Sequence, residues 1–354
     1  MTKAELDSIK ILPLEDSWYR KVKEKLDGIA KPLDGLGKFE HLIAQIGAIE
    51  KTTKISIQKK AVLVMCADNG VVEEQVSQSG KEVTLAVAKA MGVNNSSVGK
   101  MAAVAGVDVI PVDIGIDTDE VIPGVLPRKV AKGTKNFAKE PAMTEEEVLK
   151  AIETGIQLVQ QCHREGYEIF ATGEMGIGNT TTSTAVAAAL LDLEVEQVTG
   201  KGAGLTDEAL KRKCRVIKEA IEKYSLCDAD AFTILKTVGG LDIAGLTGVF
   251  IGAAIEQIPV IIDGVISAVA ALLAETLCKG AVNYMIPSHK SRELAETAIM
   301  KKLHLDPVLD ADMALGEGTG AVMMMSLLDV ALGVYLQGAS FANFEIEQYK
   351  RYEE

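Results

Sequence analysis

The chain opens with apolar positions recurring at three- and four-residue spacing. Residues 15–54 read as helical: SWYRKVKEKLDGIA carries one amphipathic stretch, KPLDGLG interrupts it, and 42–49 resumes it. From there the pattern changes. Short, strongly apolar runs at 61–67 (AVLVMCA), 107–115 (VDVIPVDIG), 167–173 (YEIFATG) and 258–264 (IPVIIDG) predict buried strands, each ending in small or acidic residues. Helical periodicity follows them at 82–105, 144–164, 180–191, 206–223, 242–255, 265–278 and 290–302, and a last apolar helix spans 320–336. Alternation of this kind predicts an α/β fold, a parallel sheet flanked by helices on both faces and Rossmann-like. Ligands of such sheets bind at the carboxyl ends of the strands, so the four predicted strand ends point at one cleft. The expected division is an α/β nucleotide- and base-binding domain over 55–300, with a smaller helical domain from 1–54 plus 301–354. Methionines 323–325 read as core filler rather than a ligand box.

Composition narrows the function. With 354 residues, one large or two unequal domains are expected. Thirty-seven basic against 50 acidic residues give a net charge of −13, the wrong sign for sequence-independent binding of nucleic acid. Aromatic residues are only 4% of the chain against 32 glycines, which disfavours a ring-stacking platform and suits a ligand held by backbone groups. Five scattered cysteines without a C-x-x-C pair read as free thiols of a reducing compartment, and four dispersed histidines suggest no local metal site. The N-terminus lacks a signal-peptide pattern, and the apolar region 238–278 is interrupted by Asp242, Glu256, Asp263 and Glu275. A cytoplasmic protein without a membrane span is expected.

Three glycine clusters carry the candidate chemistry: GEMGIGNTTT (173–182), GKGAG (200–204) and GEGTG (316–320). The first lies between a predicted strand and helix. It matches neither a dinucleotide fingerprint nor a P-loop, yet glycine backbone and a helix N-terminus are the elements of a phosphate cradle. Routine capping by Asn179 and Thr180 is the competing reading. Glu174 and Glu317 are acids set among glycines, beside a site expected to hold an anion. That placement suits a general base or a stabiliser of positive charge developing on a sugar. Lys213 or Lys201 is the candidate to neutralise the phosphate.

With VTGKGAGL (198–205), VGGLDIAGLTG (238–248), IIDG (261–264), IPSHKS (286–291) and LGEGTGA (315–321), the first of these segments makes six ordered motifs. In this the chain resembles the nicotinate-nucleotide–dimethylbenzimidazole phosphoribosyltransferases, from about Pro32 to the C-terminal helix. The resemblance implies transfer of the ribosyl phosphate of nicotinate mononucleotide to a benzimidazole-type lower base. Nicotinate leaves, the anomeric carbon inverts, and the α-riboside phosphate enters the nucleotide loop of cobamides. It implies no metal and no cofactor, small-molecule substrates only, and a dimer, homo- or heteromeric. Glu317 matches the general base that takes the ring N–H proton, a role for which a raised carboxyl pKa is expected, and Glu174 matches a second catalytic carboxylate. Gly176, Ile177, Gly178, Asn179, Thr180, Gly202, Lys213, Asp263, Ser291 and Gly316 match nucleotide- and phosphate-binding positions. Ser79, Val87, Met175 and Leu315 fall in the base pocket.

Departures from the family pattern bear on specificity. Asp68-Asn69-Gly70 stands where many members have Asp-His-Gly, Val87 replaces a glutamine, and Met175 replaces a leucine. Loss of an amide weakens hydrogen-bond selection of the base, so acceptance of bases other than dimethylbenzimidazole, phenolics included, is expected. Two other readings compete: a subunit of a heteromeric lower-base-activating complex, and a dinucleotide-dependent oxidoreductase, which lacks its fingerprint here.

Overall fold

Successive residues of the first strand point to opposite faces of the sheet, and both faces are covered. In the computed structural model, Ala61, Leu63 and Met65 of β1 (Lys60–Ala67) belong to one apolar cluster, while Val62, Val64 and Cys66 belong to another. The structure describes residues 1–202 and 204–351. Ala203 of the second glycine cluster and residues 352–354 of the tail lie outside the described residues.

The remaining strands are β2 (Val107–Gly115), β3 (Leu126–Pro127), β4 (Ile169–Met175), β5 (Val260–Ile262), β6 (Met285–Pro287), β7 (His289–Ser291) and β8 (Leu309–Met313). Six of them form a parallel sheet of order β3-β2-β1-β4-β5-β6, and β7 pairs with β8 in a small parallel ribbon. The strand order reverses between β1 and β4, which opens a crevice at their carboxyl ends.

The helices are α1 (Lys3–Ser8), α2 (Asp16–Asp27), α3 (Lys38–Ile49), α4 (Glu82–Gly92), α5 (Ser97–Ala105), α6 (Glu145–Arg164) and α7 (Asn179–Leu191) in the first half. The second half adds α8 (Val195–Val198), α9 (Asp207–Lys223), α10 (Ala231–Val238), α11 (Leu241–Glu256), α12 (Val265–Leu277), α13 (Leu294–Leu303) and α14 (Thr319–Gln337). The face carrying Val62 and Val64 packs against Val22, Ile43 and Ile46 of α2 and α3, Val98 of α5, and Met324, Met325 and Leu328 of α14. The opposite face packs against α6, α7 and α9 to α12, together with Leu6 of α1. Helix α14 is long and apolar enough to cross a membrane by composition alone. Its buried residues lie instead in the core against the sheet, Met324 and Met325 among them, whereas Met323, expected there too, faces outward and is exposed.

The parallel sheet and the strands at 61–67, 107–115, 167–173 and 258–264 agree with the sequence pattern. The predicted helix over 82–105 is two helices. Asn94 takes a left-handed backbone (φ 54°) and Ser96 caps α5 by accepting from the Gly99 N–H at 3.1 Å. The predicted helix at 290–302 begins only at Leu294, because 289–291 is strand β7. The short strands β3, β6, β7 and β8 have too few residues to show periodicity.

Close backbone contact sets the position of α11. A Cβ at Gly155 of α6 would stand 2.7 Å from the Val249 nitrogen, and one at Gly252 of α11 would stand 2.9 Å from the Ile156 Cα. Only glycine permits this approach. It directs the N-terminus of α11, with Asp242, toward the crevice.

Candidate active site

The crevice is a cleft of about 200 Å³ at the strand ends. Its wall combines β4 and the turn after it (Glu174, Met175, Gly176, Ile177), the start of α7 (Asn179, Thr180), and Gly202. Opposite stand Asp263, His289, Ser291, Glu293 and the loop Leu315, Gly316, Glu317. Most candidate residues from the sequence are therefore brought together. Gly178 caps α7 just behind the wall, and Lys213 lies fully buried beneath it. Ser79 and Val87 are partly buried and are not among the lining residues, whereas Met175 and Leu315 are.

Glu317 is presented by strained backbone. Gly316, Glu317 and Gly318 all have left-handed φ values, 86°, 61° and 90°. Two of the three are glycines, for which that conformation is inexpensive; Glu317 is not. The loop is pinned from two sides. Asp263, immediately after β5, accepts the Gly318 N–H at 3.2 Å and the Ala321 N–H at 3.0 Å, which caps α14. A Cβ at Gly173 would stand 2.5 Å from the Glu317 carbonyl oxygen, so β4 touches the loop directly. Glu317 Oε2 in turn accepts the Val98 N–H of α5 at 3.0 Å.

Glu174 is buried behind this loop. A Cβ at Gly316 would lie 2.7 Å from its Oε1. Its Oε2 accepts from Asn179 Nδ2, and the same amide nitrogen donates to Asp242 Oδ2 at 3.1 Å. Burial pushes the Glu174 carboxyl up to about 8, with the negative charges of Asp242, Asp263 and Glu317 adding to the shift. Burial likewise raises Asp242 to about 6 and Asp263 to about 7, against the pull of their hydrogen bonds. Among the described residues, none of these three carboxyls has an ion-pair partner. The floor of the cleft is thus electronegative and suited to positive charge.

The anion side is separate. Lys213 Nζ donates to Thr180 Oγ1 at 2.9 Å and to the Gly200 carbonyl at 3.2 Å. Burial lowers its pKa to about 8. Gly202 has a left-handed φ of 53°, and its N–H is taken by Glu293 Oε1 at 3.0 Å. A carboxylate thus holds a backbone donor of the glycine loop above a buried ammonium. Lys201, the other candidate cation, is exposed and paired with Asp207 at 2.8 Å.

Sequence reasoning missed Asp242, His289 and Glu293. Asp242 was visible as an interruption in an apolar run and within the VGGLDIAGLTG motif, without a role of its own. His289 bonds Ser288 Oγ at 2.9 Å through Nδ1, and burial lowers its pKa. Asn69, just after the end of β1, approaches the Ile177 carbonyl through Nδ2 at 3.5 Å.

Comparisons with known proteins place the chain in a family and agree with its fold. A family model described as phosphoribosyltransferase matches residues 11–346. A nicotinate-nucleotide–dimethylbenzimidazole phosphoribosyltransferase of Acetivibrio thermocellus is 45% identical over 329 residues, 93% of this chain and 94% of that protein. Its counterpart in Clostridium acetobutylicum is 43% identical over 337 residues, 95% and 96% of the two chains. The crystal structure of CobT from Thermus thermophilus superposes with a TM-score of 0.89 at 33% identity, covering 94% of this chain and 100% of that one.

Proposed function

The chain belongs to the nicotinate-nucleotide–dimethylbenzimidazole phosphoribosyltransferase family, and from that premise we propose how its cleft performs the reaction. The protein transfers the ribosyl phosphate of nicotinate mononucleotide to a lower base, the activation step of cobamide assembly. The observation that carries the mechanism is the division of the cleft into an anion side (Thr180, Gly202, Lys213) and an electronegative floor (Glu174, Asp263, Glu317).

The phosphate binds at the start of α7 over Lys213, whose ammonium is buried and held by neutral oxygens. The substrate's pyridinium nitrogen carries positive charge, and positive charge develops on the ribose as its bond to C1′ breaks. Buried carboxylates nearby stabilise both. The lower base attacks C1′ from the opposite face through its ring nitrogen. The C1′–pyridinium electron pair leaves with nicotinate, and the ring N–H proton of the attacking base passes to Glu317, giving an α-riboside phosphate. Asp263 acts by fixing the Glu317 loop; its oxygens are engaged by the backbone at the start of α14.

Met175 and Leu315 supply an apolar wall for the base. This supports acceptance of rings beyond dimethylbenzimidazole, phenols included. Competition among dimethylbenzimidazole, adenine and p-cresol tests it, and strict preference for dimethylbenzimidazole refutes it. A dimer is proposed as well, on the exposed apolar side chains Val104, Met323 and Val330, and light scattering decides that point. The heteromeric-subunit reading finds no support in relatives that match over nearly their whole length. Incubation with nicotinate mononucleotide and dimethylbenzimidazole tests the reaction itself through nicotinate release.

A further inference from the structure

Asn179 stands between two buried carboxyls and gives each of them one hydrogen of the same amide nitrogen. Glu174 lies at the end of β4, and Asp242 in the first turn of α11. Both are buried, and among the described residues neither meets a lysine, arginine or histidine within ion-pair distance. Two carboxylates that share a donor in a low-dielectric setting cannot both carry full charge without a counter-cation. One of the two therefore holds a proton in the free protein.

The geometry says which. Asp242 Oδ1 accepts the Ile243 N–H at 3.0 Å, and its side chain sits at the N-terminus of a sixteen-residue helix, where negative charge is favoured. Glu174 has no such support: its Oε1 lies against Gly316, and its Oε2 depends on Asn179 alone. The titratable groups facing Glu174 are Asp242 from α11, Asp263 from the turn after β5, Glu317 from the loop before α14, and Cys66 from β1. The carboxylates among them each favour the protonated form of Glu174 by repulsion, and burial does so most.

We propose that Asp242 is a positioning residue whose charge, held beside Glu174 by the shared Asn179 amide, keeps Glu174 in its proton-bearing form in the free protein, and that capture of a nucleotide whose pyridinium nitrogen is positively charged releases this proton. The inference rests on the reading that nicotinate mononucleotide is the substrate. The balance is simple: the Glu174 O–H bond breaks, the proton leaves to solvent, and the new carboxylate faces the positively charged ring nitrogen. Glu174 is thus neutral in the free protein and becomes anionic only when its counter-charge arrives.

The test is calorimetric titration of the full-length protein with nicotinate mononucleotide, without lower base, at pH 7 in PIPES and in Tris. The dependence of the apparent enthalpy on buffer ionisation enthalpy counts protons exchanged. Wild type is expected to release about half a proton or more per nucleotide. Glu174→Gln is expected to abolish the release and leave only the small uptake that belongs to Lys213 and the phosphate. Asp242→Asn removes the repelling charge, so the pH midpoint of proton release and of nucleotide KM moves down by about one unit; a merely structural role would leave that midpoint in place. Binding without proton release in wild type overturns the proposal, as does an unshifted midpoint in folded Asp242→Asn. Should that variant not fold, the wild-type and Glu174→Gln counts decide alone. Absence of nucleotide binding at any pH overturns the substrate reading beneath it, an outcome distinct from binding without proton exchange.

Discussion

Glu317 Oε2 accepts the backbone N–H of Val98 at 3.0 Å, across 219 residues of sequence. The carboxylate thereby belongs to the first turn of α5 as much as to its own loop. One oxygen is anchored, and the other has no donor among the described residues.

Shortening this arm by one methylene breaks the anchor. Glu317→Asp is expected to lower kcat by roughly 10- to 100-fold while the KM for nicotinate mononucleotide changes little, since misplacing a catalytic group is costly even when its chemistry is kept. Steady-state kinetics with saturating base measures it. An unchanged kcat would show that the Val98 contact does not set the geometry of the base.

Glu293 holds the Gly202 N–H, and with the phosphate placed as proposed the two would compete for that donor. Glu293→Gln keeps the size of the side chain and removes the like charge, so nucleotide KM is expected to fall by about fivefold or more. A raised KM would instead place Glu293 among the groups that bind the nucleotide directly.

Lys213 is a fully buried ammonium held by two neutral oxygens. Lys213→Met should raise nucleotide KM by roughly 100-fold, because a charge-assisted phosphate contact is lost. The melting temperature should hold or rise, since an unpaired buried charge is removed. Nucleotide affinity of the wild type should also decline above about pH 8, where Lys213 loses its proton. A variant that binds nucleotide normally would remove Lys213 from the phosphate site.

The buried acids also set the pH dependence of stability. Glu174, Asp263 and Asp242 have folded-state pKa values raised to about 8, 7 and 6, above their ordinary carboxyl values. Between roughly pH 4 and 8 the folded protein therefore binds more protons than the unfolded chain, and stability falls as pH rises through that window. The melting temperature of the ligand-free protein is expected to drop from pH 5 to pH 8.5, with a shallower drop in Glu174→Gln. A melting temperature that rises over this range would contradict the assignment of buried, proton-holding carboxyls.

The sheet was legible because β1, β2, β4 and β5 are short apolar runs ending in small or acidic residues. Glu174 and Glu317 were legible because glycines surround them and leave no packing reason for an acid. The division between α4 and α5 was not, since apolar spacing runs on through Asn94, Asn95 and Ser96. Yet that break creates the helix end to which Glu317 is bonded. The role of Asp242 was hidden for another reason: it stood inside VGGLDIAGLTG, but its partner Asn179 lies 63 residues away and the motif alone does not show the contact. Glu293 was likewise a surface acid by sequence, and only folding brings it onto Gly202.

The assignment on which the mechanism turns is Glu317 as the base of a ribosyl-phosphate transfer. Its most direct test is single-turnover reaction of nicotinate mononucleotide with dimethylbenzimidazole, following nicotinate and riboside phosphate together, in wild type and Glu317→Gln. Wild type should form both products in equal amounts. Glu317→Gln should bind the nucleotide with unchanged affinity and react roughly 10²- to 10⁴-fold more slowly. Wild-type rates in Glu317→Gln, or no nicotinate from either protein, would contradict this role.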